Sequence, residues 1–497
     1  MTDQLQTSGE KNSGDKHVVI VGGGGFAGIN AARTLGNQRG VRVSIVDQRN
    51  HHLFQPLLYQ VALAALSPAD IASPIRTVLS GNRNIEVFMG NVEDVDLKKR
   101  EVIFGDDRLG YDYLIMACGA SHSYFGHDEW EDFAPGLKSV EEATEIRRRV
   151  LMAFELAEHE PDVEARKQYL TFVIIGGGPT GVELAGAIGE ITRYTLARDF
   201  RNIDPRLTRI ILIEAGPRIL SGFHEDLSAK AARGLEKLGV TVWTSTRVTD
   251  VRPDGVVCGS ENAQVSHKET IRARTVLWAA GVRPSNLNAK LKTSANIELG
   301  PGGRIKIGPD LSVPGFPEFF VLGDQANFTH YGKPTLPGLA PVAIQMGRRA
   351  AKNILNDIRG KQRVDFHYVD KGSMATIGRA DAVLQTQWIR FGGLPAWLAW
   401  LFVHIFYLIG FKNRLLVFIQ WFWSYMTLGR GARLITSRNW KPDRRVDMAS
   451  RYEMAFQKAM ATRRSSKAQA KAGRAAKAGR QESKTAKSKK KTRGAKR

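Results

Sequence analysis

The spacing of apolar residues near the N-terminus predicts a strand, a glycine-rich turn and a helix in close succession. A β-branched run at residues 18–21 leads into the glycine-rich stretch 22–28, and residues 29–35 have the apolar spacing of a helix. Glycines let the backbone turn sharply and approach a pyrophosphate, while the helix N-terminus presents free N–H groups to it. The next strand, residues 41–46, is followed by Asp47, where a carboxylate can hold a ribose hydroxyl. This order of elements predicts a dinucleotide-binding unit.

Four consecutive glycines at residues 22–25 leave the register of this motif open. A register that starts with the first of them lacks a third glycine at the required spacing, so we favour the register that starts with the second. The cofactor contacts predicted from the favoured register are Gly23, Gly25, Phe26, Ala27, Gly28, Asp47 and Gln48.

The same pattern appears again in the middle of the chain. Residues 171–175 predict a strand, residues 182–194 a helix, and residues 210–213 a strand that ends at Glu214. The first strand and the helix are joined by a second glycine motif, formed by Gly176, Gly178 and Gly181. One chain with two dinucleotide-binding units implies two cofactors held face to face.

Glu214 bears on the identity of the second cofactor. A glutamate at this position accepts hydrogen bonds from a ribose 2′-hydroxyl and repels a 2′-phosphate, which favours NADH over NADPH. Arg218 lies close in the sequence and weakens that preference.

Two further strands are predicted to bring small or acidic residues to the first cofactor. Residues 113–120 are apolar and end in small residues, and residues 319–324 deliver Asp324 at the end of a strand. In flavoproteins such an aspartate holds the ribityl chain and the following helix, here residues 342–354, faces the isoalloxazine; an ordinary surface aspartate is the alternative. Other predicted cofactor contacts are Ala117, Gly119, Gly281, Gly323 and Ala343.

Two helical segments are predicted outside these strands. Residues 60–79 have a mostly helical pattern, although two Ser-Pro pairs interrupt it. Residues 140–160 predict an amphipathic, charge-rich helix.

Two apolar segments near the C-terminus, residues 394–411 and 415–428, are separated by a short polar stretch. Five of the nine tryptophans lie in or just before them. A transmembrane helix needs about 20 apolar residues, which the first segment approaches and the second does not reach. Tryptophan-rich helices flanked by cations are typical of interfacial anchors. We therefore favour a membrane-surface anchor over a spanning hairpin or a buried pair that forms only core or a dimer interface.

Charge is concentrated at the C-terminus. The formal net charge is +23, and residues 461–497 contain fifteen Lys or Arg and one acid, which gives +14 in this tail. The tail has no apolar face and cannot bury enough surface to fold alone. Beside an interfacial helix it would attract anionic lipid. Non-specific binding to nucleic-acid phosphates and a simply solvated tail remain alternatives.

Cysteine content limits the redox chemistry and the compartment. The only two cysteines, Cys118 and Cys258, exclude a disulfide framework and a CxxC redox pair. The first 16 residues are polar and lack the apolar segment of a signal peptide. A reducing, cytoplasm-facing compartment is the simplest interpretation.

Together these patterns predict an α/β protein with two Rossmann-like dinucleotide-binding domains and a C-terminal membrane-associated helical region. The expected divisions are a disordered N-terminus at 1–16, two segments of the first dinucleotide-binding domain at 17–165 and 286–385, a second dinucleotide-binding domain at 166–285, anchoring helices at 386–450 and a basic disordered tail at 451–497.

The chain resembles the type II NADH:quinone oxidoreductases, which are single-subunit, FAD-containing NADH dehydrogenases that pump no protons. The resemblance covers about residues 16 to 435 and rests on an ordered set of motifs. These are HLFQPLLYQVA from His52, SPADIASPIR from Ser67, GGGPTGVELAG from Gly176, VLWAAGV from Val276, VLGDQA from Val321, KGSMATIGR from Lys371 and the aromatic C-terminal segments.

The resemblance implies FAD binding for the first domain, on the first glycine motif and Asp324, and NADH binding for the second, on the second motif and Glu214. Glu183 resembles the family glutamate beside the nicotinamide and flavin. It is the nearest candidate to relay protons to a quinone, with a purely nucleotide-orienting role as the alternative. Gln345 resembles a glutamine of the quinone-site motif AQxAxQ, and Lys371 a lysine near the quinone. No metal or catalytic triad is expected.

Two positions depart from the family pattern. Pro341 replaces the first glutamine of the quinone-site motif, so only Gln345 carries over. Cys118 stands where the family more often has threonine, which puts in doubt only the fine tuning of a flavin contact.

The expected function is respiratory: a hydride passes from NADH to FAD, and two electrons pass on to a membrane quinone without proton pumping. We expect peripheral attachment to the cytoplasmic side of the cell membrane, contact with anionic lipid, a homodimer and no specific nucleic-acid partner. Disulfide and sulfide:quinone reductases need paired cysteines, and a soluble NADH oxidase or ferredoxin reductase needs no aromatic anchor. A nucleic-acid-associated flavoprotein that binds through the basic tail is the alternative from another class.

Overall fold

The computed structural model describes residues 14–260, 268–329, 335–427, 429 and 431–436. The predicted basic tail, and most of the predicted disordered N-terminus, lie outside these residues.

The α-helices of the described residues are α1 Phe26–Leu35, α2 Leu58–Ala62, α3 Pro68–Ile71, α4 Ile75–Val78, α5 Val140–His159, α6 Val163–Tyr169, α7 Pro179–Glu190, α8 Glu225–Lys237, α9 Leu287–Ala295, α10 Ala340–Ile358, α11 Leu394–Tyr407 and α12 Phe411–Thr427.

The strands are β1 Lys16–Val21, β2 Val41–Asp47, β3 His51–Leu53, β4 Ala72–Pro74, β5 Ile85–Met89, β6 Asp94–Asp96, β7 Glu101–Phe104, β8 Asp107–Gly110, β9 Tyr113–Met116, β10 Ala120–His122, β11 Thr171–Ile175, β12 Arg209–Ile213, β13 Val240–Trp243, β14 Thr246–Arg252, β15 Gly255–Ser260, β16 Lys268–Arg272, β17 Thr275–Trp278, β18 Val282–Pro284, β19 Ile305–Lys306, β20 Ser312–Val313, β21 Phe316–Val321, β22 Ala326–Asn327, β23 Ser373–Gly378, β24 Asp381–Gln385 and β25 Arg390–Gly392.

The first large sheet has the order β20-β21-β9-β1-β2-β5 and combines strands from distant parts of the chain. Four parallel pairings join the strands β21, β9, β1, β2 and β5, and only β20 is antiparallel. Val18, Val19 and Ile20 are fully buried, as expected for a parallel strand covered on both faces. The β-branched run in the sequence therefore marks the centre of this sheet.

The second large sheet has the order β13-β12-β11-β17, and all of its pairings are parallel. It repeats the order of strand, glycine loop and helix seen in the first sheet, as predicted. A two-stranded antiparallel ribbon of β10 and β18 joins the two units.

Helices α1 and α10 cross at very close range beside the first glycine loop. A Cβ on Gly347 would overlap the backbone of Ala27, so only glycine permits this contact. The crossing places the start of α10 near the first dinucleotide loop.

The predicted helical character of residues 60–79 holds for three short helices, α2, α3 and α4, but not for one continuous segment. Helix α2 ends at Ala62, and β4 pairs with β3 in an antiparallel ladder. Each Ser-Pro pair disfavours a helical conformation at its serine and interrupts the helix there. The pairing partner of β4 lies some 20 residues upstream, which a local pattern does not reveal.

The C-terminal segment forms a helix pair, in which α11 packs against the sheet of β23, β24 and β25 while α12 contacts α11 and α3. Ala396 and Trp400 form the buried side of α11. Among the described residues, no helix combines the length and apolar character needed to cross a bilayer.

Candidate functional site

The first glycine loop is fastened to Asp47. The Gly24 N–H donates to Oδ2 of Asp47 at 2.9 Å, and the Arg49 N–H donates to Oδ1 at 2.8 Å. Burial raises the pKa of the Asp47 carboxyl, against the hydrogen bonds from these two backbone groups. His52 also contacts this loop. Its Nδ1 lies 2.6 Å from the Gly24 carbonyl oxygen.

The second glycine loop uses the same arrangement with a longer acid. The Gly177 N–H donates to Oε2 of Glu214 at 2.6 Å, and the Gly216 N–H donates to Oε1 at 2.7 Å. Arg218 lies nearby, but its guanidinium donates to the carbonyl oxygens of Phe223 at 2.6 Å and Ser221 at 2.9 Å.

The two loops differ in length by one residue. In the second, Gly176 has φ +108° and also receives the close approach of Gly181. In the first loop, two neighbouring glycines share these properties. Gly22 has the positive φ, +70°, and Gly23 receives the close approach of Gly28. The open register in the sequence reflects this extra residue, since both candidate first glycines lie in the turn.

Both loops fit a dinucleotide phosphate. Among the described residues, no side chain caps the N-terminus of α1 or α7, and neither first turn contains an acid. Nothing lies within 4 Å of where a Cβ on Gly178 would stand, so the space at the N-terminus of α7 is open. Free N–H groups at an open helix start suit an anionic phosphate.

A polar network links the segments that follow the neighbouring strands β9 and β21 to helix α9. The Cys118 N–H donates to Oε1 of Gln325 at 2.8 Å, and Nε2 of Gln325 donates to Oδ1 of Asn288 at 3.0 Å. Burial raises the pKa of the Cys118 thiol to about 12, so it stays protonated. Sequence reasoning missed Gln325 and Asn288, although Gln325 lies within the VLGDQA motif.

The predicted strand-end contacts gather near the same loop. Ala117 donates its N–H to the Val21 carbonyl oxygen at 2.8 Å, and Gly119 follows with φ +67°. Gly323 lies beside Ala343, with 3.5 Å between an added Cβ and the Ala343 methyl.

Asp324 is half-buried and faces the chain before α10. A Cβ on Gly338 would lie 2.8 Å from its Oδ1, so the backbone passes close to this carboxylate.

Gln48 is exposed beside Asp47. Gly281 lies beneath the Phe125 ring, at the start of the ribbon between the two units.

Glu183 lies on α7 at the wall of a cavity of about 130 Å³. Removal from bulk water raises the pKa of its carboxyl to about 8, and a hydrogen bond from the Thr376 backbone opposes the shift. The same cavity is lined by α2, by the residues after α7, by β23 and by the C-terminal helix pair. A protonated carboxyl of this kind can donate a proton near neutral pH.

A chain of hydrogen bonds runs from the C-terminal helices to the side chain of Thr376, whose backbone hydrogen-bonds to Glu183. Nε1 of Trp421 donates to Oε1 of Gln60 at 2.7 Å, and Nε2 of Gln60 donates to the Tyr59 hydroxyl at 3.1 Å. That hydroxyl lies 3.0 Å from Oγ1 of Thr376. Sequence reasoning missed this chain because its members come from three distant segments.

His404 is a further buried polar group on α11. Its Nδ1 lies 2.7 Å from the Trp400 carbonyl oxygen, and burial lowers its pKa to about 4. Its ring stacks on Trp400 and meets Phe54 edge-on. His404 is therefore neutral, which explains how this strongly polar residue is accommodated in an otherwise apolar segment.

Gln345 and Lys371 lie away from the Glu183 cavity. The Gln345 amide donates to the Val369 carbonyl oxygen at 2.9 Å and accepts from the Val369 N–H at 3.0 Å. Lys371 is exposed, and neither residue lines the cavity. Gln345 thus holds the backbone two residues before Lys371.

Comparison with known families matches nearly the whole described chain. A family model described as pyridine nucleotide-disulphide oxidoreductase matches residues 16–347. A second model, described as NDH2 C-terminal domain, matches residues 371–430.

Two relatives show how far the similarity extends. The type II NADH:quinone oxidoreductase Ndh of Mycobacterium tuberculosis is 41% identical over 432 residues, which cover 85% of this chain and 91% of that protein. The internal alternative NAD(P)H-ubiquinone oxidoreductase A1 of Arabidopsis thaliana mitochondria is 30% identical, with 83% and 85% covered.

Solved structures show the same fold. NDH2 from Plasmodium falciparum in complex with NADH gives a TM-score of 0.77 at 21% identity, covering 85% of this chain and all of that one. The sulfide:quinone oxidoreductase of Aquifex aeolicus gives 0.63 at 19% identity, covering 80% and 91%. These neighbours confirm the expected α/β dinucleotide-binding fold.

Proposed function

The chain belongs to the type II NADH:quinone oxidoreductases, and on that basis we propose which of its residues hold each reactant. The protein is a non-proton-pumping flavoprotein that uses FAD and NADH, as the sequence motifs led us to expect. The first loop, with Gly25, Gly28 and Asp47, holds FAD, and the second, with Gly181 and Glu214, holds NADH. The observation that carries this assignment is the repeated clamp of a carboxylate on a glycine loop.

When bound, FAD accepts a hydride from NADH and passes two electrons to the quinone. The protein residues bind and orient the reactants. The open starts of α1 and α7 face the phosphates, while Asp47 and Glu214 receive the ribose hydroxyls. Asp324 holds the ribityl side, and Gly323 with Ala343 leaves room for the flavin ring. Gly281 lies on the NADH side.

The sheet pairings support the division of the chain that the sequence suggested. Residues 17–165 and 286–385 contribute the strands of the first sheet, and residues 166–285 those of the second. We assign the first sheet to FAD and the second to NADH.

We assign Glu183 to proton transfer toward the quinone. Its raised pKa lets it hold a proton at neutral pH and release it during quinol formation. Gln345 acts as a positioning residue, since it fixes the backbone before Lys371, and Lys371 serves the quinone end.

We propose that the C-terminal helices attach the enzyme to the cytoplasmic side of the membrane. Their exposed apolar side chains form a patch on two neighbouring helices, and exposed apolar patches mark contacts with membranes or other proteins. Its members are Leu394, Leu398, Phe402, Phe406, Leu415, Phe418, Ile419, Phe422, Trp423 and Met426. The basic tail adds attraction to anionic lipid, and the same region supplies a homodimer contact.

Vesicle flotation tests the attachment. We expect Phe402→Asp with Phe406→Asp to abolish binding to neutral and anionic vesicles. Val163→Asp, at an apolar side chain exposed elsewhere, serves as the control. Truncation after Ala461 is expected to remove only the extra, salt-sensitive affinity for anionic vesicles. Sedimentation of the detergent-solubilised protein tests the dimer, and a monomeric enzyme would reject it.

NADH consumption by the membrane-bound protein tests the assigned function directly. We expect turnover that depends on added short-chain quinone, with little activity on NADPH. Equal NADH oxidation without quinone, or flavin bleaching that stops after one turnover, would reject it.

A further inference from the structure

We propose that the cavity between Glu183 and Glu190 is a water-filled inlet that carries protons from solvent to Glu183. The proposal rests on the assigned proton-donor role of Glu183 and extends it to a supply route. Glu190 is the outer carboxylate of this inlet.

The overall reaction requires such a supply. NADH, one proton and one quinone give NAD⁺ and one quinol, so the hydride carries both electrons and solvent must provide the remaining proton. Glu183 lies at the wall of a cavity that is partly open to solvent. A proton that it gives away can therefore be replaced through this cavity.

The two glutamates share one face of α7. They are seven residues apart, which is about two helical turns and about 10 Å along the axis. Both line the same cavity of about 130 Å³. This separation is too long for direct transfer, but the cavity has room for several waters at roughly 30 Å³ each.

The cavity wall offers the polar partners that ordered water needs. Tyr59, Gln60 and Thr376 line it and hydrogen-bond to one another. A buried water needs about two to four such partners. The inlet thus has hydroxyl and amide groups beside its inner end.

The outer end of the cavity reaches solvent through an irregular piece of helix. After Glu190, α7 continues as the π-helix Ile191–Thr195, a form common at functional sites. This segment brings Tyr194 and Thr195 to the cavity, and Tyr194 is 51% exposed. Arg379 lines the same end.

Glu190 lies close to the β23 backbone. A Cβ on Gly378 would stand 3.3 Å from its Oε1. The titratable and charged groups that face Glu183 across the cavity are Tyr59, Glu190, Tyr194 and Arg379. Burial, and secondarily the neighbouring Glu183 charge, raises the pKa of Tyr59, so its hydroxyl stays neutral.

Two variants test the route in the FAD-loaded enzyme. Glu190→Gln removes the outer carboxylate. Ala187→Leu fills the space between the two glutamates, because Ala187 lies between them on α7 and lines the cavity. Ala187→Ser is the matched control at that site, and Glu236→Gln is the control for loss of an exposed carboxylate.

The first readout is proton uptake, followed by a pH-indicator dye in stopped flow during quinone reduction. We expect Glu190→Gln and Ala187→Leu to slow uptake about tenfold or more. A small weak acid such as imidazolium should restore the rate in Glu190→Gln. Ala187→Ser and Glu236→Gln should match the parent enzyme.

The second readout does not depend on turnover. The infrared band of the protonated Glu183 carboxyl, identified by its loss in Glu183→Gln, shifts when the enzyme is mixed into D₂O. We expect the shift to be slower in both inlet variants. Thermal unfolding near the parent temperature would show that each variant folds.

The possible outcomes separate the two proposals. If the parent enzyme shows no quinone-dependent NADH oxidation, the proposed function fails. If the parent turns over but both inlet variants keep parent rates of proton uptake and deuterium exchange, the inlet is rejected.

Discussion

The two glycine loops share one design but differ in how much protein encloses them. In each, a carboxylate at a strand end accepts one N–H from the loop and one from the following turn. The first loop is covered by His52 and by the close crossing of α10 over α1. The second is open at Gly178.

This difference is what the proposed assignment of FAD to the first loop and NADH to the second requires. A cofactor that stays bound through many turnovers benefits from an enclosed site, whereas a substrate that enters and leaves in each cycle needs an open one. Burial in the first loop also raises the pKa of the Asp47 carboxyl. Four experiments test the comparison, from the largest expected effect to the smallest.

Gly28→Ala should have the largest effect. Its Cβ would lie 2.5 Å from the Cα of Gly23, so the enclosed loop must shift. We expect about 1–3 kcal/mol of destabilisation, with purified protein that carries little FAD and therefore little activity. Flavin absorbance per protein and thermal unfolding measure both effects. Gly81→Ala is the control, because Gly81 lies outside the loop and nothing stands within 4 Å of its added Cβ.

Gly181→Ala should affect the substrate and spare the cofactor. Its Cβ would overlap the Gly176 carbonyl oxygen, in the open loop. We expect FAD to be retained and the KM for NADH to rise about tenfold or more, which corresponds to about 1.4 kcal/mol. Steady-state kinetics and flavin content measure this. Loss of FAD in this variant, or retention in Gly28→Ala, would contradict the assignment of the loops.

Glu214→Gln should weaken discrimination between the two nicotinamide cofactors. The amide removes a negative charge and one of the two acceptor positions that Gly177 and Gly216 use. We expect the ratio of kcat/KM for NADH over NADPH to fall about tenfold. Asp47→Asn is the matched change in the other loop and should leave that ratio unchanged; an equal fall there would refute the prediction.

The helices that follow the two loops also differ, because α7 has a titratable residue where α1 does not. The pH dependence of quinone reduction tests this difference. Two residues beyond the third glycine, α1 has Asn30, which donates to the Phe26 carbonyl oxygen at 2.9 Å, whereas α7 has Glu183. Because the pKa of Glu183 is raised to about 8, its proton is present at lower pH and lost as pH rises. Quinone reduction should fall to about half near pH 8.

The matched variant for this test is Glu183→Gln, whose slower quinone reduction should not change over the same pH range. Stopped-flow flavin reoxidation measures the step. If Glu183→Gln kept the pH dependence of the parent enzyme, that dependence would belong to another titratable group.

Local sequence predicted the dinucleotide units well, because buried parallel strands and glycine turns leave strong local signals. The strand at residues 171–175 was found with the predicted ends. The short helices of segment 60–79 were predicted, but strand β4 among them was not, because β4 is specified by its pairing with β3 rather than by its own pattern.

The site was predictable only in part. Glycines and strand-end acids are set by short-range geometry, so their positions could be read from spacing. The pairing of Gln345 with Val369 and the hydrogen-bond chain from Trp421 to Thr376 depend on how distant segments pack. No local pattern contains that information.

The mixed origin of the first sheet has a consequence for how the chain folds during synthesis. Strand β21 pairs with β9 across the sheet, yet about 200 residues separate them. The second sheet lies wholly within that interval, so it can form on the ribosome while the first still lacks its last inner strand. We therefore expect the substrate-binding unit to be structured before the nascent chain can retain FAD.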